Sequence, residues 1–480
     1  MLGARGARLV PTERLVVIRR VGSAHTPARR PDVAVALAAI ALSVVAGALL
    51  VANPMLAFAP IALLGGALLL TDGPARTLFV VFGGMLLRQR PGGLDASKLA
   101  FLAACALAFA GALANVRNLR QTPAYEAARP LLAGSVAVMA LAGISFGVAY
   151  SRITPLTEWL RDIAPYVLFA SVPVFALDAQ ASLGRRRLVQ LLVAAGVLGV
   201  MAWAVEWLGR RGIAHFDASS IAVASVLVPA ALFAYAMASA LHGRAKRVVW
   251  LVVAAAVLAL LLSTGTRSTL ALLLIPLAIA LIARRERVNR TVRLLALGPV
   301  AAALTLAVAV AVISMIGANT EYLNERVALV TDTANSEEDF SYVDRVEQSR
   351  VAFDAFKAHP VLGIGPGTHF EWRTHDGQHR SDFIMDTPMT FPAKFGVLGL
   401  LVLLFLVAGF VAFARRLGRG RPPTVAYLTL LGFLPAVAVL GFLAPPFEDK
   451  GLSFGLILIL ALALAETSRP AAATPEPRPA

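Results

Sequence analysis

Apolar stretches long enough to cross a lipid bilayer recur along almost the whole of this 480-residue chain. A spanning helix needs about 20 mostly apolar residues and bonds its backbone polar groups internally. The chain is 58% hydrophobic and 15% charged, far from the balance of soluble domains. The sequence therefore predicts an all-α, polytopic transmembrane helix bundle of about 12–14 spans. The apolar stretches lie near residues 33–53, 55–72, 77–88, 98–115, 130–150, 163–179, 188–208, 219–241, 247–263, 268–283, 294–316, 393–414, 425–443 and 452–466.

Composition divides the chain into five segments. Residues 1–32 are polar and basic, and the apolar stretch after them is too long for the core of a cleaved export signal. Transmembrane helices are predicted for residues 33–316 and 393–466. Residues 317–392 form a predicted extracytoplasmic loop that is partly helical and carries the site. The Pro/Ala-rich tail, 467–480, is predicted to be disordered and cytoplasmic.

The distribution of positive charge along the chain indicates how the protein is oriented in the membrane. The net charge is +16, but Arg and Lys cluster at the ends of apolar stretches, in alternate connections. That pattern is typical of orientation signals and argues against a nucleic-acid partner. It predicts a multi-pass protein with both termini in the cytoplasm, although the basic connection 88–98 falls on the outer side. The single cysteine, Cys105, lies in an apolar stretch, so disulfides and thiolate metal sites are not expected.

The long outer loop is locally acidic and is expected to fold. Residues 317–386 contain thirteen acidic and six basic residues, and the loop holds four of the seven histidines. Structureless loops of this length are uncommon in compact proteins, and folded ones often carry function. An amphipathic helix is predicted within it, with Ser341 as the N-cap and Val346, Phe353 and Phe356 on one apolar side.

The sequence "HPVLGIGPGTH" follows this helix, at residues 359–369. His359 begins the stretch, and three glycines alternate within it, Gly363, Gly365 and Gly367. The spacing is not that of a dinucleotide fingerprint, since a helix precedes it, and it lacks the Gly-Lys-Ser/Thr of a Walker loop. A structural turn is favoured over a ligand-contacting loop, because glycines of this kind indicate a tight reversal or a close backbone approach.

Arg267, in "LLSTGTRSTLALLL", is the first candidate for binding an anion. It is flanked by hydroxyl side chains at the predicted outer N-terminus of a membrane helix. There the helix dipole and free N–H groups favour an anion, and a guanidinium suits a phosphate group. The alternative is an interfacial arginine that anchors the helix at the lipid headgroups.

Two more arginines lie on the predicted outer face. Arg161 begins another span, where a local ion pair with Asp162 or Glu158 is the alternative interpretation. Arg345 lies in the loop helix, where an exposed salt bridge with Asp344 is the default. Three outer arginines run against the general charge asymmetry of the chain. They suggest an anionic ligand that arrives from the membrane.

The histidines His369, His375 and His379 have the spacing of no common zinc site, and no metal site is predicted. A histidine acting as a general base is more plausible, because the side chain titrates near neutral pH.

Residues 260–405 resemble one known family. The segments "STGTRSTLALLL", "DRVEQSRVAFDAFKAHPVLGIGPG" and "MDTPMTFPAKFGVLGLLVLL" are similar to the O-antigen ligase and polymerase superfamily of bacterial cell-surface polysaccharide assembly. Arg267 matches the family's arginine at the start of a span, and Arg345 its arginine at the start of the loop helix. The stretch from His359 to Gly367 matches the family's helix, "HP" and "GxGpG" pattern.

The resemblance implies an inverting, metal-independent glycosyltransferase of the bacterial cytoplasmic membrane that needs no cofactor. Its donor would be a polyprenyl-pyrophosphate-linked glycan, and its acceptor a hydroxyl of a glycan, a lipid or another molecule. Arg267 and Arg345, with Arg161 assisting, would hold the pyrophosphate and stabilise the charge that develops on it.

The ligases of this family supply the base as a histidine eleven residues before a glycine. Counted back from Gly396, that position is Met385. This departure favours a polymerase-like or exopolysaccharide-assembly member over a lipopolysaccharide ligase. Asp386 is the first candidate for the base and His369 the second.

Two other classes of function remain as alternatives. A transporter or flippase for an anionic lipid-linked sugar would usually place charged groups near the middle of the membrane. Here the notable charges gather outside the spans. A scaffold whose acidic loop binds a basic partner leaves the arginines unexplained.

Overall fold

Nearly all of the described elements are helices, which confirms the all-α, polytopic bundle. The chain divides into two compact units, residues 1–65 and 66–480. The apolar stretches near 33–53 and 294–316 lie outside the described residues, as do residues 1–32 and nearly all of the tail. The computed structural model describes residues 58–86, 96–210, 227–242, 246–263, 269–282, 340–383, 385–419, 423–440 and 450–467.

A π-helical turn, Phe79–Gly83, interrupts the helical segment 73–86. The helices are α1 (Phe58–Thr71), α2 (Gly73–Leu78), α3 (Gly84–Leu86), α4 (Ala96–Asn118), α5 (Pro123–Ser151), α6 (Leu156–Ser182), α7 (Arg185–Arg210), α8 (Leu227–His242), α9 (Arg247–Ser263), α10 (Thr269–Ile282), α11 (Phe340–Ala358), α12 (Thr390–Gly418), α13 (Val425–Leu440) and α14 (Lys450–Thr467); the strands are β1 (Phe370–Arg373) and β2 (His379–Asp382).

Four helices among the described residues are long and apolar enough to cross a membrane. They are Lys98–Asn118 of α4 and the whole of α5, α6 and α12. The last helix, α14, is shorter and lies at the centre of the packing, since every residue from Leu456 to Leu464 is at most 1% exposed. A helix that is apolar on all sides is typical of a buried position or of a membrane span, and here α6 is a main neighbour.

The helices α1 and α2 meet at a sharp break instead of forming two full crossings. The sequence predicted separate spans near 55–72 and 77–88, but the two helical arms are bent by 109° at Asp72. Within the described residues, each arm is too short to cross a bilayer alone, since a crossing needs about 20 residues. This geometry is that of one broken span or of a re-entrant loop.

A buried arginine stabilises this break. The Nη1 of Arg76 donates to the carbonyls of Leu69 and Leu70, which the end of α1 leaves without helical partners. Its Nε and Nη2 donate to both carboxylate oxygens of Asp178 in α6, at 2.8 and 2.7 Å. The amide of Asn115 in α4 donates to the same carboxylate at 2.7 Å. The charges are therefore paired where apolar surroundings would make a single charge costly.

The loop between the last spans folds into a small cap, which we define as residues 340–389. The predicted loop helix is present as α11, but it begins at Phe340, so Ser341 lies inside it and is not its N-cap. The predicted apolar side is also wrong, because Val346 and Phe353 are 51% and 47% exposed. The helix packs instead through Ala352 and its neighbours, against β1 and the start of α12.

An antiparallel hairpin completes the cap. β1 pairs with β2 in a register that places Phe370 opposite Asp382 and Arg373 opposite His379. The turn between the strands contains Asp376 and Gly377, and Gly377 has a φ of +80°. Asp-Gly between two short strands is a typical hairpin turn, because glycine adopts a positive φ without a steric penalty.

We expect Asp178→Asn to destabilise the bundle by about 3–5 kcal/mol, because it leaves the Arg76 guanidinium buried without a counter-charge. Thermal unfolding of the purified protein in detergent measures the change. Glu347→Gln is the matched control, since Glu347 pairs with Arg350 at the protein surface and its loss should change the midpoint little. Equal midpoints for the two variants would contradict the structural role of the Arg76–Asp178 pair.

Candidate functional site: a cap seated on two spanning helices

The carboxylate of Asp162 joins three separate parts of the chain. Asp162 lies in the second turn of α6 and is 4% exposed. Its Oδ1 accepts a hydrogen bond from Lys394 Nζ at 2.7 Å, and its Oδ2 accepts one from the backbone N–H of Gly367 at 2.7 Å. Lys394 lies near the start of α12 and is completely buried. A buried, hydrogen-bonded ion pair therefore connects the cap to two spanning helices.

The glycine turn, residues 359–367, exchanges backbone hydrogen bonds with α12. The N–H groups of Ile364 and Gly365 donate to the carbonyls of Ala393 and Lys394, at 2.8 and 3.0 Å. In a straight helix those carbonyls would bond the N–H groups four residues later. The helix is kinked at Gly396, where φ is +62°, and this leaves them available.

The N–H groups of α12 that the kink leaves without helical partners form hydrogen bonds with the cap. The N–H groups of Val397 and Leu398 donate to the carbonyls of Pro360 and Val361, at 2.8 and 3.2 Å. Hydrogen bonds to the glycine turn thus replace the helical bonds that the kink removes from these donors and acceptors. Irregular backbone near a membrane is tolerated under this condition, when buried protein groups satisfy it.

Close backbone approach explains the glycines of the turn. Gly363 has a φ of +69°, and a Cβ there would lie 2.3 Å from the carbonyl of Lys394. Gly367 has a φ of +84°, and a Cβ there would lie 2.7 Å from the backbone nitrogen of Trp159. Gly365 also has a positive φ, and the exposed His359 contributes a carbonyl that accepts the Gly363 N–H at 3.0 Å. These contacts support the structural-turn interpretation.

Arg161 lies beside the cap and has no acidic partner among the described residues. The two acids expected to pair with it are engaged elsewhere: Asp162 with Lys394, and Glu158 at 3.7 Å from His369 Nε2. The guanidinium lies 4.7 Å from the ring centroid of Phe383. The ring of His369 lies 4.3 Å from the same phenyl ring. Phe383 thus brings together two of the residues predicted for the site.

Arg345 does not form the predicted salt bridge. Asp344 accepts a hydrogen bond from the backbone N–H of His375 at 2.7 Å, and its second oxygen lies 3.3 Å from that ring. The Nε of Arg345 is buried and has no hydrogen-bond partner in the part of the chain that the structure describes. Arg350 differs, since its guanidinium bonds Glu347 at 2.7 and 2.8 Å, and this bond lowers the pKa of the Glu347 carboxyl.

Asp386 is exposed at the edge of the cap, next to the buried Met385. Its backbone N–H donates to Gln348 Oε1 at 2.7 Å, and the next residue, Thr387, shares a hydrogen bond of 2.7 Å with Ser349. Gln348 and Ser349 lie one helical turn after Arg345. Asp386 is therefore held beside the part of α11 that carries Arg345.

Phe383 and Thr387 contact the two halves of the candidate site. Phe383 contacts Arg161 and His369, and Thr387 contacts α11. Arg267 lies outside the described residues. His375 and His379 are on the hairpin, paired with Asp344 and near Glu371, away from His369. Across the described parts of the chain, no group of three or more His, Cys, Asp or Glu side chains could hold a metal ion.

Sequence reasoning missed three features of this site. Phe383 and Lys394 carry no motif, and neither their burial nor their contacts can be read from hydropathy. The hairpin did carry a signal, the Asp376–Gly377 pair between two short stretches with aromatic residues.

These helices and the cap define a polytopic helical membrane protein with a folded loop domain. Residues 251–390 match the family model described as O-antigen ligase. The matched range runs from α9, through α11, the glycine turn and the hairpin, to the first residue of α12. The match supports the resemblance of residues 260–405 to the O-antigen ligase and polymerase superfamily. No curated protein matches the chain.

We expect Gly363→Ala to detach the glycine turn from α12, because the new Cβ would overlap the Lys394 carbonyl. Gly377→Ala is the matched control, since Gly377 also has a positive φ but nothing lies within 4 Å of its Cβ position. The backbone strain alone costs about 1–2 kcal/mol in both variants. Thermal unfolding and proteolysis of the cap should show clearly greater loss for Gly363→Ala, and equal losses would contradict the close packing.

Proposed function

We propose that this O-antigen ligase- or polymerase-type membrane enzyme is an inverting glycosyltransferase that uses a polyprenyl-pyrophosphate-linked glycan as its donor. The cap would lie at the outer face of the bacterial cytoplasmic membrane, with both termini in the cytoplasm. The acceptor would be a hydroxyl of a growing glycan, a lipid or another molecule. The family match and the resemblance of residues 260–405 support this class of reaction.

The observation that carries the proposal is the set of contacts made by two arginines, Arg161 of α6 and Arg345 of the cap. Arg161 and Arg345 each lie next to an acid in sequence, yet each neighbouring acid is paired with another group. The guanidinium of Arg161 lies over the Phe383 ring, and the buried Nε of Arg345 has no hydrogen-bond partner among the described residues. Cations in this state at the edge of a membrane protein favour an anionic ligand. A pyrophosphate fits, because guanidinium groups bind its oxygens with two hydrogen bonds each.

A small apolar cavity lies between α5, α6 and α12. Its volume of about 20 Å³ is enough for about one water molecule and too small for an isoprenoid chain. Its lining includes Leu141, Ile163, Tyr166, Phe395 and Leu406. Ile163 directly follows Asp162, and Phe395 directly follows Lys394, so the cavity adjoins the base of the cap. A prenyl chain of the donor would therefore lie along the apolar surfaces of these helices, where its transfer from water is favourable.

In the proposed reaction, an acceptor oxygen attacks the anomeric carbon from the side opposite the pyrophosphate. The new C–O bond forms as the bond to the pyrophosphate oxygen breaks, which inverts the anomeric centre. Arg161, Arg345 and Arg267 would stabilise the negative charge on the leaving group, since preorganised donors act where charge develops. Such donors could do this without a divalent ion.

The acceptor proton needs a base, and Asp386 is the first candidate. Asp386 is exposed, and the bond from its N–H to Gln348 holds its backbone beside the turn of α11 that follows Arg345. His369 is the second candidate, since its ring contacts Phe383 beside Arg161. A general base contributes about 10²–10⁴-fold to a rate, so the two assignments are separable by substitution.

We expect Arg345→Ala and Arg161→Ala to lower glycan transfer by about 10²–10³-fold each, with unchanged protein level, because charge stabilisation at the leaving group is lost. The measurement is transfer by purified protein in detergent with a prenyl-pyrophosphate-linked glycan. Arg350→Ala is the control, since Arg350 is on the same helix as Arg345 but is paired with Glu347. Full transfer by the first two variants would contradict their role.

The detergent assay also separates this proposal from a transporter. An enzyme still transfers glycan without a sealed compartment, whereas a flippase has nothing to move there. If wild-type protein gives no transfer in detergent but moves labelled lipid in vesicles, the glycosyltransferase assignment is wrong.

We expect Asp386→Asn to reduce transfer by about 10²–10⁴-fold while leaving donor binding intact, because the amide cannot accept the proton. Asp354→Asn is the control, an exposed acid of α11 that pairs with Lys357. If Asp386→Asn is active and His369→Gln is inactive at normal protein level, the base is His369 instead.

A further inference from the structure

We propose that Asp162 and Lys394 are a positioning pair: their buried ion pair holds the cap over the spanning helices in the geometry needed for transfer, and neither side chain contacts substrate. This inference rests on the proposed function. It assigns a task to two charged residues that the proposed chemistry leaves unused.

Burial separates these residues from any ligand. The side chains of Lys394 and Asp162 are 0% and 2% exposed, and both carboxylate oxygens of Asp162 already accept hydrogen bonds. The surroundings are aromatic, with the rings of Tyr166 and Phe395 in edge contact at 5.1 Å and Lys394 Nζ 5.9 Å from the Tyr166 centroid. A charge left alone in such surroundings is strongly unfavourable.

The pair connects the backbone segments that carry the candidate site. Asp162 follows Arg161 in α6, and Gly367, which it binds, lies two residues before His369. Lys394 also holds the turn with its own carbonyl, which accepts the Gly365 N–H at 3.0 Å. Loss of the pair would therefore move His369 relative to Arg161, although neither of those side chains is altered.

If Asp162 and Lys394 only position the cap, both of their charges can be removed together without loss of transfer. Replacing a buried ion pair by neutral groups of similar size is often neutral or stabilising, whereas removing one partner is strongly destabilising. In the double variant Asp162→Asn with Lys394→Met, the amide oxygen introduced at position 162 would still accept the Gly367 N–H, and no charge is left unpaired. A residue that used its charge on substrate could not be rescued in this way.

The test compares Asp162→Asn, Lys394→Met and the double variant as full-length protein in detergent. Two measurements are made: transfer with a prenyl-pyrophosphate-linked glycan, and hydrogen exchange of the backbone amides of residues 363–369. We expect each single variant to lose about 10-fold or more in transfer and to exchange faster in the turn. We expect the double variant to regain transfer to within about 3-fold of wild type, with a protected turn.

Asp178→Asn is the matched control, since it breaks the other buried ion pair of the same helix, away from the cap. It should lower the thermal stability without faster exchange in residues 363–369.

The proposal is overturned if the single variants keep wild-type transfer and a protected turn. It is equally overturned if the double variant is folded and protected but inactive, because the charge itself would then be needed. Absence of transfer by wild-type protein would count against the proposed function alone, since the exchange measurement still decides whether the pair holds the turn.

Discussion

The hydrogen bonds and ion pair of Asp162 are the interaction on which the cap depends. One oxygen binds the Lys394 ammonium and the other binds the Gly367 N–H, so a single side chain fixes α6, α12 and the glycine turn together. These two interactions of Asp162 also have an electrostatic consequence. Asp162 is not available to Arg161, its neighbour in sequence, and the guanidinium rests on a phenyl ring instead. Because Asp162 is used to hold the cap, it does not form an ion pair with Arg161.

A similar exchange of partners occurs at α11. Asp344 binds the hairpin through His375, which holds β1 and β2 on the helix and takes the adjacent acid away from Arg345. Arg350, further along the same helix, keeps its local pair with Glu347. The contrast within one helix indicates that tertiary contacts, and not local sequence, decide which arginines are available to bind an anion. We regard this selection as the physical basis of the proposed pyrophosphate site.

Two helices are interrupted in the molecule, and at each break another part of the chain bonds the backbone groups that the break frees. At Asp72, the carbonyls freed at the end of α1 are bonded by Arg76, whose charge Asp178 balances. At Gly396, the carbonyls freed by the kink of α12 are bonded by the glycine turn. In both places a helix can be interrupted because another part of the chain satisfies its backbone. The second break is also what allows the cap to sit directly on a spanning helix.

The sequence predicted the helical class, the position of most described spans and the loop helix, because each rests on hydropathy, periodicity or a local signal. It also predicted that the glycines of residues 363–367 form a turn. It could not predict the partner of that turn, since the kink at Gly396 and the approach of Lys394 are long-range. Local reasoning also placed Val346 and Phe353 on the packed side of α11, where the structure places Ala352. Local ion pairs of Arg161 and Arg345 were the alternative that neighbours in sequence suggested, and the groups that pair with those neighbours are distant in sequence.

The most direct test of the pyrophosphate site is a structure of the purified protein with a bound prenyl diphosphate. We expect diphosphate oxygens within about 3 Å of the guanidinium nitrogens of Arg161 and Arg345, with the prenyl chain along the apolar surfaces of α5, α6 and α12. A diphosphate bound elsewhere, with both guanidinium groups facing lipid or solvent, would contradict the proposed role of these arginines.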